Sequence, residues 1–208
     1  MASRQFEFLG GVLCLDFVNT IHEYGAVDPR EELDGFQDLI AFAFQAGAIT
    51  SGQAAQLSRR AATDPAMASK AHAAARECRL VLYRIFSAIA GRKYPSASDL
   101  DCFNQQVARI FQNLRIRRKG SELEWVWKED DRNLERVLWP VVRSGAELLT
   151  SKERRLIREC GSQTCSWLFL DQSKNRTRRW CDMKTCGNRA KWRRYYKKHK
   201  AAKPQSKS

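Results

Sequence analysis

The chain has 208 residues, of which 43% are hydrophobic and 29% charged. This balance excludes a wholly disordered chain and a collagen, and no segment reaches the roughly 18 unbroken apolar residues of a membrane span. The formal charge of +14 is unevenly placed, because residues 1–149 hold 19 basic and 19 acidic side chains whereas residues 150–208 hold 18 basic and 4 acidic ones. A neutral body followed by a strongly basic segment favours an anionic partner such as nucleic acid.

The neutral part is predicted to be mainly helical. Apolar residues recur with helical periodicity in runs at 15–24, 36–44, 50–63, 67–89, 100–111 and 134–149. Asp34 and Ser98 are expected to cap two of these helices, and Pro140 is expected to kink the last one or to mark its restart. Residues 114–118 and 123–127 alternate in polarity on either side of Lys119-Gly120-Ser121, which predicts a β-hairpin.

The basic part contains four of the seven cysteines, spaced as Cys160-x4-Cys165, fifteen residues, then Cys181-x4-Cys186. Two short pairs at this separation are typical of a structural zinc site, since Zn²⁺ takes four tetrahedral thiolate ligands. A metal would also supply folding energy to a segment with few aliphatic residues. Ordinary buried cysteines, disulfides or an iron–sulfur cluster are the less favoured alternatives. The odd cysteine total does not suit a secreted disulfide framework, so a reducing cytoplasm is expected.

The segments around the cysteines predict a small hairpin followed by a helix. Residues 166–171 and 177–181 are expected to form two strands, and residues 190–200 the helix, an order similar to a treble clef. Along that helix an apolar stripe at i, i+3, i+4 and i+7 is expected to pack on the hairpin; it consists of Trp192, Tyr195, Tyr196 and His199. His199 is expected to pack rather than bind zinc, because four cysteines already suffice.

The basic residues predict a nucleic-acid interface. Lys and Arg side chains release counterions from phosphate, and Arg also recognises guanine edges in duplex DNA. The residues expected to bind duplex DNA are Arg176, Arg178, Arg179, Lys184, Arg189, Lys191, Arg193, Arg194, Lys197 and Lys198. RNA is an alternative, since aromatic and basic side chains together also bind single-stranded bases. An anionic membrane surface is disfavoured, because exposed apolar anchors are not evident.

Two motifs resemble known families. Cys186-Gly187-Asn188-Arg189, with its cysteine spacing and the following Ala190-Lys191-Trp192-Arg193-Arg194-Tyr195, resembles the CGNR zinc finger family. The segment Leu13-Cys14-Leu15-Asp16-Phe17-Val18-Asn19-Thr20 resembles the opening of the ABATE domain that precedes this finger in bacterial proteins. The resemblance implies a stress-related bacterial transcription regulator, whose four cysteines bind zinc and whose N-terminal domain senses or binds a ligand. It also implies signature roles for Asn188, as a helix cap, and for Arg189, which would contact phosphate or brace the thiolates.

The predicted organisation is an α+β chain of three parts. Residues 1–150 form a mainly helical ABATE-like domain with a small hairpin, residues 151–200 a treble-clef-like CGNR zinc finger, and residues 201–208 a basic disordered tail. A homodimer is also considered, because many bacterial regulators recognise two half-sites.

A ligand pocket in the N-terminal domain is a further hypothesis. Asp16, Asn19 and His22 follow each other at i, i+3 and i+6, so a helix would place them on one face. Helix capping and a local hydrogen-bond network are the favoured explanation of these residues. No nucleophile–base pair, phosphate loop or paired-carboxylate motif is evident, so no enzyme is predicted. An N-terminal domain that binds or converts a small molecule, with the finger as an interaction device, remains the alternative.

Overall fold

The structure, a computed structural model, describes residues 4–24, 26–128 and 133–200, without the side chains of Lys198 and Lys200. The predicted tail at 201–208 lies outside the described residues. The helices are α1 (Leu13–Val18), α2 (Phe36–Gln45), α3 (Ser51–Thr63), α4 (Pro65–Ala90), α5 (Ala97–Phe111), α6 (Trp139–Thr150) and α7 (Asn188–Lys200). The strands are β1 (Leu114–Lys119), β2 (Glu122–Trp127), β3 (Ile157–Glu159) and β4 (Leu168–Leu170). Short 3₁₀ turns at 134–138 and 152–156 precede α6 and β3.

Side-chain caps set the beginnings of several helices. The Asp64 carboxylate accepts from the Met67 N–H at 2.9 Å, and Pro65 opens α4 where its missing N–H costs nothing. Two predicted caps are wrong. The cap of α5 is Ser96, which accepts from the Asp99 N–H, rather than Ser98. The cap of α2 is Gly35 rather than Asp34. The Gly35 N–H donates to the Asp38 carboxylate in the first turn of the helix, and the Asp34 carboxylate forms an ion pair with Arg4.

Helix α4 forms the centre of the N-terminal part, with α1, α2, α5 and α6 packed around it. The buried side chains of Leu82, Ile85 and Phe86 supply its core face. A Cβ on Gly145 of α6 would lie 3.1 Å from both Leu82 Cδ2 and Phe103 Cζ, so the glycine permits this close packing. Pro140 lies in the first turn of α6, as the predicted restart requires. Along the described ranges, no helix is both long and apolar enough to cross a membrane.

The hairpin formed by β1 and β2 confirms the prediction from alternating polarity. Leu114 pairs with Trp127, and Ile116 pairs with Trp125. The Trp127 ring lies 5.5 Å from that of Trp139, which holds the base of the hairpin against α6.

The second sheet differs from the predicted finger hairpin in one strand. β4 pairs antiparallel with β3, placing Ile157 opposite Leu170, and residues 177–181 form no strand. Ile157, Leu168 and Leu170 join the main core, so their burial favours this pairing over one with the arginine-rich 177–181 segment. The overall prediction is confirmed: a mainly helical part with a small hairpin precedes a short sheet, four clustered cysteines and a helix.

Candidate metal centre and nucleic-acid interface

The four cysteines of the basic part converge on one point. Their Sγ atoms all lie within 4.8 Å of one another. Cys165 Sγ and Cys181 Sγ are 3.7 Å apart, and Cys181 Sγ and Cys186 Sγ are 3.6 Å apart. Three of the four residues are buried, whereas Cys165 is half-buried.

This arrangement fits one zinc ion. Four sulfurs placed tetrahedrally at about 2.3 Å from Zn²⁺ are about 3.8 Å from each other, close to the observed separations. Hydrogen bonds from the Cys165 and Cys181 thiols lower the pKa of Cys160, and contact with Cys160 raises the pKa of Cys165 and of Cys181, so a cation is needed for all four sulfurs to be thiolates. Arg189 Nη2 lies 3.5 Å from Cys186 Sγ and provides positive charge beside the cluster. The predicted four-cysteine zinc site is confirmed, and the ion would cross-link two segments that share little core.

Backbone contacts bring the two cysteine pairs together. Cys160 follows β3, and its N–H donates to the Trp167 carbonyl at 2.9 Å, which closes the loop that holds Cys165. The next N–H, of Gly161, donates to the Arg179 carbonyl at 2.8 Å. A Cβ on Gly161 would lie only 3.1 Å from that same carbonyl oxygen, so a larger residue would push the two segments apart.

Helix α7 begins two residues after Cys186, the last residue of the second cysteine pair. A π-helical turn, Met183–Gly187, contains Cys186 and continues into α7. The cap of this combined helix is Asp182, whose carboxylate accepts from the Thr185 N–H at 2.9 Å. Asn188 is therefore not the predicted cap; inside the continuous helix its amide donates to the Lys184 carbonyl.

The aromatic stripe of α7 does not pack on a hairpin, contrary to prediction. Trp192, Tyr195 and Tyr196 are 60%, 53% and 64% exposed. They stack on each other instead, with the Trp192 and Tyr196 rings 5.9 Å apart and the His199 ring 3.9 Å from Tyr195. Both faces of β4 are covered by other residues, because Leu168 and Leu170 pack in the N-terminal core and Phe169 packs in the cysteine cluster, so the aromatic rings of α7 lie in solvent.

The predicted nucleic-acid residues fall into two groups. Three have guanidinium groups held by the finger itself. Arg178 donates to the Trp180 and Cys181 carbonyls and lies 4.3 Å over the Phe169 ring; Arg189 contacts Cys186; and Arg193 donates to Thr164 Oγ1 at 3.2 Å.

The second group is exposed. Arg179 lies beside the Trp180 ring at 5.5 Å. The charged groups of four others form no ion pair or hydrogen bond with any described residue: Lys184, Lys191, Arg194 and Lys197. The Arg176 side chain is likewise exposed, on a turn residue with φ of 52°. The side chain of Lys198 lies outside the described residues.

Asp16, Asn19 and His22 do not share a helical face, because α1 ends at Val18. Asp16 Oδ1 accepts from the Gly10 N–H at 2.7 Å. The Asn19 amide bonds to the Leu168 backbone, and His22 Nε2 lies 2.7 Å from the Glu32 carboxylate. The first two therefore hold the fold together, in keeping with the favoured structural explanation.

Of the three residues in the ligand-pocket hypothesis, His22 lines a cleft, whose opposite wall the sequence did not indicate. The cleft, about 490 Å³ in volume, lies between the N-terminal part and the cysteine cluster. Its walls include Glu32, Trp167 and Arg189, and the His22 ring packs 4.9 Å from that of Trp167. No local pattern signals this cleft, because its two walls are about 140 residues apart in the chain.

Comparison with known families agrees with this architecture. Residues 11–152 match the ABATE family, described as "Putative stress-induced transcription regulator", and residues 156–199 match the CGNR zinc finger. No curated protein matches the chain. The ABATE match covers more than half of the 208 residues, and the finger match contains all four clustered cysteines. The chain therefore belongs to the ABATE family and has a CGNR zinc finger after its ABATE region.

Proposed function

We propose that the protein is a transcription regulator whose zinc-anchored helix α7 binds duplex DNA. The observation that carries this proposal is the charge of the combined helix: no acidic residue occurs from Met183 to Lys200. Because the Cys186 end is fixed by the metal site, the exposed lysines and arginines would meet phosphates from a rigid support.

The exposed group is proposed to contact DNA, and the internally bonded arginines to shape the finger. Lys191, Arg194 and Lys197 follow one another at i, i+3 and i+6, so they lie along one flank of α7. Their charged groups have no partner among the described residues to give up on binding, which favours contact with phosphate. Arg178 and Arg189, in contrast, would lose contacts that support the cysteine cluster.

Fluorescence anisotropy of labelled duplex DNA over a salt series tests this proposal. We expect Arg194→Ala/Lys197→Ala to weaken binding about tenfold, and to reduce the slope of log K against log salt by about 2, since each phosphate contact contributes about 0.9. Arg59→Ala/Lys70→Ala, which removes two exposed cations from the N-terminal part, is the matched control. An unchanged affinity and salt slope in the α7 variant, with zinc still bound, would exclude this flank.

Single-stranded RNA is a second candidate, favoured by the exposed aromatic rings of α7. Base–aromatic stacking contributes about 1–3 kcal/mol per base. If RNA is the ligand, Trp192→Ala/Tyr196→Ala should weaken RNA binding at least tenfold and leave duplex DNA affinity nearly unchanged. Direct competition between the two nucleic acids then identifies the preferred one.

The two parts of the chain would have distinct roles. Residues 1–150 would form a sensory domain, residues 151–200 the finger, and the zinc would be structural rather than catalytic, because four cysteines complete its tetrahedral shell. No disulfide joins any of the seven cysteines, all of which lie in the described residues, and this favours a reducing cytoplasm, where the zinc ligands stay reduced.

A homodimer is part of the same proposal, formed by the apolar face of the β1–β2 hairpin where it extends beyond the contact of Trp127 with α6. Ile116, Leu123 and Trp125 are exposed on this face. The hairpin pairs with no other strand in the described ranges, and isolated two-stranded sheets are marginal in water, so a second copy would stabilise it.

A further inference from the structure

A pocket of about 540 Å³ opens where the end of α4, the start of α5, the end of α6 and β3 meet. Its apolar surface is supplied by Ile89, Leu100 and Leu149. Five cationic side chains also line it: Arg92, Lys93, Arg154, Arg155 and Arg158. No carboxylate is among the lining residues in the described part of the chain, so there the pocket combines an apolar floor with positive charge.

The five cations have no counter-charge paired with them among the residues that the structure describes. None forms an ion pair with a carboxylate in the described parts of the chain. Two acidic groups lie nearby. Glu159 accepts a hydrogen bond from Ser87 Oγ. Asp171 accepts one from Ser173, and this bond, with a smaller effect from the charge of Arg158, lowers the pKa of Asp171. The remaining mutual repulsion of the cations would be relieved by an anionic ligand.

Two of the arginines are fixed in place by backbone carbonyls. Arg154 Nη1 donates to the Ser151 carbonyl at 2.7 Å, and Arg158 Nη1 donates to the Arg155 and Ile157 carbonyls at 2.8 and 2.9 Å. Such ordering lowers the entropy cost of holding a ligand's charged group. Lys93 and Arg155 are exposed, and their side chains make no such bonds.

We propose that this pocket binds a small amphipathic anion: a carboxylate, sulfonate or phosphate attached to an apolar body. The volume lies in the range of small-molecule sites. The apolar residues would cover the body of the ligand, and the cations would bind its charged group. A bare inorganic anion would leave the apolar floor in water, and duplex DNA offers no apolar body that could enter the pocket.

The pocket is lined by residues of both the ABATE region and the zinc finger region. The role inferred from this position rests on the proposed function. Arg154 and Arg155 lie in the 3₁₀ turn at 152–156, and Arg158 lies in β3, two residues before Cys160. A ligand held by these arginines and by the helix ends would therefore fix the segment that leads into the zinc cluster. The inferred role is to set the position of the finger relative to the N-terminal helices.

Titration calorimetry of the zinc-loaded full chain with decanoate, below its aggregation concentration, tests the site. We expect saturable binding, and at least tenfold weaker binding of both decanol and sulfate, since each lacks one of the two recognised features. Lys93→Glu/Arg155→Glu should weaken decanoate binding at least tenfold. Lys152→Glu, a charge reversal on the same 3₁₀ turn but outside the pocket lining, is the matched control and should bind as the unaltered chain does.

Three results would overturn the proposal: non-saturable decanoate binding, equal binding of decanol, or equal decanoate affinity in the double variant and the unaltered chain. A double variant that loses only DNA affinity would reassign the cations to DNA and also refute the site. These outcomes are independent of α7, because decanoate binding is measured without nucleic acid. A Leu100→Gln variant checks the apolar floor; its decanoate affinity should fall while its zinc content and helical circular dichroism stay those of the unaltered chain.

Discussion

Asn19 shows how one side chain joins distant parts of this chain. Its Nδ2 donates to the Leu168 carbonyl at 2.9 Å, and the Leu168 N–H donates to its Oδ1 at 2.8 Å. The residue is 2% exposed. The amide thus satisfies both backbone groups of a buried strand residue 149 positions away, which no hydrophobic side chain could do.

Replacing Asn19 should consequently be costly. We expect Asn19→Ala to lower the free energy of unfolding by about 2–4 kcal/mol, because it leaves a buried N–H and a buried carbonyl of Leu168 without partners. Asn188→Ala, which removes a single exposed hydrogen bond to Lys184, is the control and should change stability by less than about 1 kcal/mol. Urea unfolding of the zinc-loaded chain measures both, and equal effects would contradict the bridging role.

Asp16 should make stability depend on pH. Burial raises the pKa of this carboxyl to about 6 from 3.8, although the hydrogen bond from Gly10 opposes the shift. The folded state therefore holds the proton more tightly, so the contribution of Asp16 is greatest below pH 3.8 and is lost as the pH rises to about 6. Asp16→Asn keeps an acceptor for Gly10 and removes the titration.

The measurement is the free energy of unfolding of both proteins at pH 5 and at pH 7.5. Because the span from pH 5 to pH 7.5 covers about one pKa unit of the shift, we expect Asp16→Asn to gain about 1.4 kcal/mol of stability relative to the unaltered chain between the two pH values. A difference between the two proteins that is the same at both pH values would contradict the raised pKa.

At the scale of elements, the sequence predicts local structure well and distant pairing poorly. The β1–β2 hairpin was predictable because alternation and the Gly120 turn lie within fourteen residues. The partner of β4 was not, because β3 is three residues long and owes its place to the burial of Ile157 in a core built by other helices. In contrast, the spacing of Cys160, Cys165, Cys181 and Cys186 was sufficient to predict their convergence. Zinc ligands occur as pairs of cysteines a few residues apart, and this pattern is visible in the sequence alone.

Helix α7 shows why periodicity cannot say what a face contacts. The stripe of Trp192, Tyr195 and Tyr196 has the spacing of a core face, yet these rings lie in solvent. The aromatic spacing reports only that the side chains share a face of the helix. Whether that face is buried depends on where β4 lies, and the two faces of β4 are already covered by the N-terminal core and by the cysteine cluster.

The exposed face of the β1–β2 hairpin carries a prediction at this scale. If two copies meet there, Trp125→Ser should convert a dimer into a monomer, since it removes the largest exposed ring of the face. Light scattering coupled to size-exclusion chromatography measures the mass. Trp192→Ser, which removes an exposed ring elsewhere, is the control; a monomeric unaltered chain would refute the dimer.

At the scale of the whole molecule, the first strands of the finger region are built into the N-terminal core. Leu168 and Leu170 belong to the main hydrophobic cluster, and the Leu170 N–H donates to the Gly10 carbonyl at 2.9 Å. The remaining finger forms a small separate cluster around the cysteines. Zinc is therefore expected to stabilise the second part of the finger far more than β4.

Metal removal tests this division by hydrogen exchange. After chelation we expect the Leu168 and Leu170 amides to stay protected, because their acceptors belong to the N-terminal part. The Gly161 and Thr185 amides should exchange much faster, since their acceptors lie in segments that the metal holds together. Uniform loss of protection would show instead that the whole molecule depends on zinc.

The bond between Gly10 and Leu170 also has a consequence during synthesis on the ribosome. Residues 10–19 emerge early, but their polar partners in β4 follow about 150 residues later. Until then, the nascent helices lack one wall of their core and expose apolar surface that a chaperone would recognise. A messenger RNA truncated after the codons of α6 should therefore yield an aggregation-prone product, because that product lacks β4. Complete folding of the N-terminal part would thus require complete translation.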